Sequence, residues 1–227
     1  LRAAPVSDRY PLVGDPMLLA ILPDRRVCVT ANPPGWRAET WENEGGLEAA
    51  EREGPVTGAA IAPGGAAILT IDSRGRARQW PLAGGGGGAI CWSLTDDPMP
   101  HVRELAVSPD GRRIATAVGG QVALLEAATG RRVATLPGNK APSVLVFSPD
   151  GHTLATEGND RRVHLWDAAT GASRMELPIQ SGMVKAVAFA QDGQTLASAG
   201  DDHAIHLWDL AGHNTGFLSG HGGTVLA

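Results

Sequence analysis

Apolar runs of four to six residues, each closed by a turn signal, follow one another along this chain, and between Val144 and Asp209 one pattern is written twice. Val144-Leu145-Val146-Phe147-Ser148-Pro149-Asp150-Gly151, Thr153-Leu154-Ala155-Thr156 and Val163-His164-Leu165-Trp166-Asp167 return as Val187-Ala188-Phe189-Ala190-Gln191-Asp192-Gly193, Thr195-Leu196-Ala197-Ser198 and Ile205-His206-Leu207-Trp208-Asp209. A repeat of about forty residues built from short apolar runs and punctuated by Asp-Gly and Thr-Gly predicts one four-stranded antiparallel unit per copy.

The polarity within the runs narrows the architecture. Val187 and Phe189 alternate with Ala186 and Ala188, and Leu196 and Ser198 with Thr195 and Ala197, so both faces of a strand are apolar or small. A sandwich sheet shows one polar face, whereas a sheet wedged between two neighbours buries both. The expected fold is therefore all-β, a β-propeller of four-stranded antiparallel blades.

With the Asp of Ser-Pro-Asp-Gly as a ruler, equivalent positions fall at Asp24, Gly64, Asp110, Asp150 and Asp192, which gives five copies. The predicted repeats are 13–50, 51–95, 96–137, 138–179 and 180–219, with the start of a sixth at 220–227 and an outer strand of a preceding blade at 3–12. Six residues past each marker stands a hydroxyl, at Thr30, Thr70, Thr116, Thr156 and Ser198. A bulky residue, at Trp41, Trp80, Leu125, Trp166 and Trp208, is expected to end each third strand, with an acid after it at Glu42, Glu126, Asp167 and Asp209. Gly130 and Gly171 close matching Ala-Ala-Thr-Gly turns, where the last place needs positive φ.

Composition removes several classes of function. A net charge of -5 gives no basic stripe for phosphates, so no nucleic-acid partner is expected. No apolar run reaches the roughly 20 residues of a membrane span, so no membrane partner is expected either. Cys28 and Cys91 match no metal or redox spacing and read as reduced and buried. The basic residues are nearly all Arg, with Lys only at Lys140 and Lys185, the coding bias of a GC-rich genome, which carries no function.

The residues Leu165-Trp166-Asp167 and Leu207-Trp208-Asp209 carry a resemblance to the WD-repeat β-propeller family, strong in copies four and five and fading toward the N-terminus. The resemblance implies a buried network in which a His between blades, an Asp in the turn after the second strand, a Ser or Thr of that strand and the Trp of the third are joined. Carried over, copy four supplies Thr156, Asp160 and Trp166, and copy five supplies Ser198, Asp202 and Trp208. The His is absent from both; its place in copy five is taken by Gln180, and copies one to three lack the turn Asp. Family members usually close with seven blades, which makes this chain a piece of a larger polypeptide with partial flanking blades.

Reactive chemistry is sparse. His203 and His206, three apart on an expected strand, point to opposite faces and make a poor metal pair. Asp96-Asp97 reads as a solvated loop, and the glycine run 84–88 lacks the Lys-Ser/Thr of a phosphate loop and reads as a mobile surface loop. No catalytic residue, metal or cofactor is expected. In the family, partners often dock on the face carrying the turns between second and third strands; here that face would hold Asn159, Arg161, Arg162, Met183, Lys185 and Asp201. The resemblance implies a non-catalytic protein-interaction scaffold or sensor module of a larger bacterial signalling or defence protein, its partners being proteins or other domains of the same polypeptide. The alternative is a propeller enzyme or small-ligand binder using the central channel.

Overall fold

A computed structural model of the chain describes residues 102–138, 142–178 and 180–225 and, ahead of them, the strand segments 17–21, 27–32, 35–40, 43–49, 56–61, 67–72, 75–81 and 89–93. The outer strand expected at 3–12, the glycine run 84–88, Asp96-Asp97 and Trp41 lie outside the described residues.

Every described element is a strand. The first sheet holds β1 (Met17–Ile21), β2 (Val27–Asn32), β3 (Gly35–Thr40) and β4 (Asn43–Ala49). The second holds β5 (Val56–Ile61), β6 (Ala67–Asp72), β7 (Arg76–Pro81) and β8 (Ala89–Ser93), and the third β9 (Val102–Val107), β10 (Arg113–Val118), β11 (Gln121–Glu126) and β12 (Arg132–Leu136). The fourth holds β13 (Val144–Phe147), β14 (Thr153–Glu157), β15 (Val163–Asp167) and β16 (Ser173–Glu176), and the fifth β17 (Val184–Phe189), β18 (Thr195–Gly200), β19 (Ala204–Asp209) and β20 (Asn214–Ser219). Strands pair antiparallel in chain order within each sheet, and the opening strands β1, β5, β9, β13 and β17 lie side by side. This is a propeller of four-stranded antiparallel blades.

The turns follow from short-range chemistry. In the third and fourth blades the hydroxyl of Ser108 or Ser148 donates to Asp110 or Asp150 and accepts the amide of Arg113 or Thr153, which closes the turn between first and second strands. Gly111 and Gly151 supply the left-handed residue there, at φ 71° and 73°. In the fifth blade Ala190 removes the hydroxyl, and Asp192 instead accepts from the amides of Gln194 and Thr195.

The cores lie between sheets. Leu69, Ile71 and Ala77 of the second blade pack with Leu105, Ile114 and Leu125 of the third. Ala115, Val122, Leu124 and Leu136 of the third pack with Phe147, Leu154 and Trp166 of the fourth. Ala155, Val163, Leu165 and Leu177 of the fourth pack with Val184, Leu196 and Trp208 of the fifth. Two apolar faces per strand are thus explained by a neighbour on each side, each buried Leu contributing on the order of 2 kcal/mol of transfer free energy.

In the first sheet β2 sets Asn32 opposite Gly35, and this register places Glu39 opposite Cys28, where Trp166 and Trp208 stand opposite Leu154 and Leu196 in the later blades. One sequence expectation needs correction: His203 is no strand residue but sits in the β18–β19 turn at φ 64°, and β19 begins at Ala204.

Candidate functional site

Two constructions recur at the same end of the fourth and fifth blades, the first buried and the second half-exposed. The first centres on tryptophan. Trp166 Nε1 donates to Thr156 Oγ1 at 2.8 Å, and Trp208 Nε1 donates to Ser198 Oγ at 2.8 Å, all four residues being buried. The antiparallel register makes this possible, because Thr156 pairs with His164 and Ser198 with His206, which puts each hydroxyl two residues from its indole on the same face. Ser198 Oγ in turn donates to Gln180 Oε1 at 3.1 Å, which carries the chain of hydrogen bonds from the fifth blade to the segment leading into it. Gln180 Nε2 is buried without a partner. In the third blade, where Leu125 replaces the indole, Thr116 Oγ1 donates to the Glu104 carbonyl at 2.9 Å.

The second construction holds the turn carboxylates. Asp160 and Asp202 do not join the hydroxyl–indole pairs. His164 Nε2 donates to Asp160 Oδ2 at 2.7 Å and His206 Nε2 to Asp202 Oδ2 at 2.8 Å, each across the turn at i+4. The other carboxylate oxygen accepts the amide of Arg162 or Ala204. That bond spans Arg161 or His203, the two described non-glycine residues with positive φ, and offsets a conformation that costs an L-residue roughly 1–2 kcal/mol. Each imidazole lies beside its tryptophan with ring centroids 5.9 Å apart, stacked for His164 and Trp166 and tilted by 30° for His206 and Trp208. Among the described residues the hydroxyl–indole bond and the Asp–His bond are both present in each of these two blades.

The signal for His164 and His206 in the sequence is their i+4 spacing from Asp160 and Asp202. Copies one to three lack an acid at that turn position. In the second blade the buried Asp72, at the end of β6, accepts from Arg76 N at 3.0 Å and Arg76 Nε at 2.7 Å, again at i+4 but two places earlier in the turn.

The acid after each tryptophan shapes the next turn. Asp167 accepts from the Thr170 hydroxyl, from the amides of Ala169 and Thr170 and from the Arg174 guanidinium at 2.7 Å. The Arg174 and Thr170 bonds hold its carboxyl down at about 2. Asp209 does the same with the amides of Ala211 and His213 and with the His213 ring. Gly130 and Gly171 hold φ of 70° and 74° at the ends of their turns.

Of the six residues expected on a partner face, Asn159, Arg161 and Arg162 lie in the β14–β15 turn, Met183 and Lys185 at the start of β17, and Asp201 in the β18–β19 turn. Backbone bonds draw these segments together: Gln180 N donates to Arg161 O at 3.0 Å and Asp201 N to Met183 O at 3.0 Å. Lys185 Nζ stands 4.0 Å from Asp201 Oδ2. Asn159, Arg161, Lys185 and Asp201 are exposed, and Arg162 and Met183 half-buried. Below them Glu157 is buried, accepts from the Ser143 hydroxyl and has its carboxyl pushed up by burial. Among the described residues no group of three or more His, Cys, Asp or Glu is placed to hold a metal ion, and no helix is long and apolar enough to cross a membrane.

Comparison with known proteins agrees with this geometry. The family described as WD domain, G-beta repeat matches residues 130–167 and 173–209. An uncharacterised WD repeat-containing protein of the cyanobacterium Synechocystis sp. is 37% identical over 76 residues, 33% of this chain and 22% of that protein, so the match spans about a fifth of the relative. WD-repeat domains generally serve protein–protein interaction and are typically non-catalytic. The tryptophan–hydroxyl pairs and Asp-closed turns of the fourth and fifth blades lie within these two matched stretches, which are similar to WD40 repeats.

Proposed function

We propose that this chain is a non-catalytic protein-interaction scaffold or sensor module of a larger bacterial signalling or defence protein, acting in the cytoplasm. It holds a protein partner, or another domain of the same polypeptide, through the face formed by Asn159, Arg161, Arg162, Met183, Lys185 and Asp201. The observation that supports this reading is the convergence of three separate segments on one face, with exposed side chains carried on a backbone fixed by the Arg161 and Met183 carbonyl bonds. Rigid turns with exposed polar side chains pay little ordering entropy on association. The Lys185–Asp201 pair, exposed and at 4.0 Å, is worth under about 1 kcal/mol and opens readily to a partner's charges.

The test exchanges those charges. Lys185→Asp combined with Asp201→Lys keeps the internal pair and inverts what a partner meets. Quantitative affinity purification from the source organism should lose the proteins that the unaltered chain retains, with an unchanged melting temperature as proof of folding. Retention of the same proteins by the exchanged chain would overturn the assignment of the face.

A further inference from the structure

Several arginines of the molecule stand against nearby acids: Arg76 against Asp72, Arg112 against Asp110, Arg131 against Glu126 and Arg174 against Asp167. Arg161 and Arg162, in the β14–β15 turn, meet no acid among the described residues, although Asp160 directly precedes them. Asp160 is already taken, one carboxylate oxygen by His164 Nε2 at 2.7 Å and the other by the amide of Arg162 at 3.1 Å. Asp201 faces Lys185 at 4.0 Å and accepts the Thr224 hydroxyl at 3.3 Å. Glu157 is buried beneath, against the Ser143 hydroxyl. The carboxylates of this face are thus engaged, and two guanidiniums are left for an acid from outside.

The backbone presents the pair in a conformation that does not suit arginine. The third blade turns the corresponding corner on Gly119 and Gly120, at φ 58° and 80°. The fourth turns it on Arg161 at φ 61°, a region that residues other than Gly, Asn and Asp seldom enter. The bonds that shape the turn use only main-chain groups of the two arginines: the Arg162 amide donates to Asp160, and the Arg161 carbonyl accepts from Gln180 N at 3.0 Å. No hydrogen bond within the turn calls for a guanidinium. An unfavourable conformation kept where folding does not require that side chain points to function, and the Arg161 side chain is exposed and that of Arg162 half-buried.

We infer that the face assigned above meets its partner through an acidic segment, a run of Asp or Glu whose carboxylates are taken by the guanidiniums of Arg161 and Arg162. The inference rests on that assignment of the face and adds the chemistry of what is bound. A guanidinium offers a planar fork of N–H donors that fits a carboxylate in two-pronged fashion. The overall charge of -5 repels acidic chains in general, so only a segment that reaches these two cations is held, which gives selectivity.

The experiment titrates the purified 227-residue chain into fluorescein-labelled decaglutamate, and into a neutral Gly-Ser peptide of the same length, and reads anisotropy. Decaglutamate should bind at least about tenfold more tightly than the neutral peptide and lose at least about threefold in affinity as ionic strength rises to about 0.15 M. Arg161→Gln with Arg162→Gln should weaken it at least about tenfold. Arg112→Gln with Arg131→Gln removes the same charge from exposed, acid-paired arginines at the opposite end of the third blade's strands, and should change it by under about twofold. Melting temperatures within about 2 °C of the unaltered chain show that the variants fold. Should the glutamine pair unfold, Arg161→Gly with Arg162→Gln, which suits the left-handed backbone, replaces it. Decaglutamate bound no better than the neutral peptide, or as tightly by the Arg161–Arg162 variant, overturns the inference and leaves the assignment of the face to be decided by the Lys185–Asp201 exchange. Oligothymidylate held more tightly than decaglutamate also overturns it, the site then being one for phosphate. If that exchange leaves the retained proteins unchanged while the two arginines still govern decaglutamate binding, the wider face is what fails and the acidic-segment site stands.

Discussion

Gln180 accepts a hydrogen bond from Ser198 at 3.1 Å and buries its own amide nitrogen beside it with nothing to bond. The two halves of this side chain act in opposite directions. A buried hydrogen bond contributes about 1 kcal/mol, and an orphaned buried donor costs about 1–3 kcal/mol. Gln180→Met removes both and should change stability by less than about 1 kcal/mol. Ser198→Ala strips the partner from the indole and from Gln180 together and should cost about 2–4 kcal/mol. Urea denaturation of the two variants checks the order; equal losses would show that Gln180 is not in this balance.

Trp166 and Trp208 each fill the space between two sheets and tie it to a hydroxyl. Trp208→Ala should cost roughly 3–5 kcal/mol, the range for emptying a large aromatic site. Trp208→Phe keeps most of the volume and should cost about half as much. An unaltered melting curve for the alanine variant would remove burial as the source of stability.

Gly200 leaves no room for a side chain, because an added Cβ would meet the Met183 carbonyl oxygen at 1.9 Å, against backbone that cannot swing aside. Gly200→Ala should therefore cost at least about 2–3 kcal/mol and loosen the lead-in to β17. Gly222→Ala, with nothing within 4 Å, should be neutral. Amide hydrogen exchange at Asp201, whose N–H bonds that same carbonyl, reports the loosening.

Two carboxylates give stability opposite dependences on pH. Burial pushes Glu104 up to about 7 from 4.5, so the folded state holds the proton longer than the unfolded chain, and stability falls between about pH 4.5 and 7. Glu104→Gln should stabilise at pH 8 and do nothing at pH 4. Asp167 is held at about 2 from 3.8, so its contribution is complete above pH 4 and disappears as pH drops through 2. Asp167→Asn should destabilise at pH 7 and flatten the acid limb. Melting temperature followed from pH 2 to 8 separates the two, and parallel profiles for both variants would contradict these assignments.

The blade units were legible because their signals are local: Asp-Gly fixes a turn, and a two-residue alternation with small residues on both faces fixes a strand with a neighbour on each side. The hydroxyl–indole pairs were legible for the same reason, since a constant spacing across a hairpin becomes a constant register. What escaped depends on turn conformation. Asp160 reaches His164 because Arg161 takes a left-handed backbone, and a non-glycine residue there gives no compositional warning. The shorter β2–β3 hairpin shifts the register of the first sheet, so counting from the marker runs two residues past Glu39, the place equivalent to Trp166. Leu177 and Leu218 are the same residue type at equivalent places, and nothing in the sequence says that Leu177 is fully buried while Leu218 is 57% exposed.

Each Asp–His clasp begins and ends within five residues of its own hairpin, so the carboxylate owes nothing to the blade next door. A gene segment encoding one repeat can consequently be duplicated or deleted without parting this carboxylate from its histidine. Propellers assembled from such cassettes can change their number of blades by recombination alone.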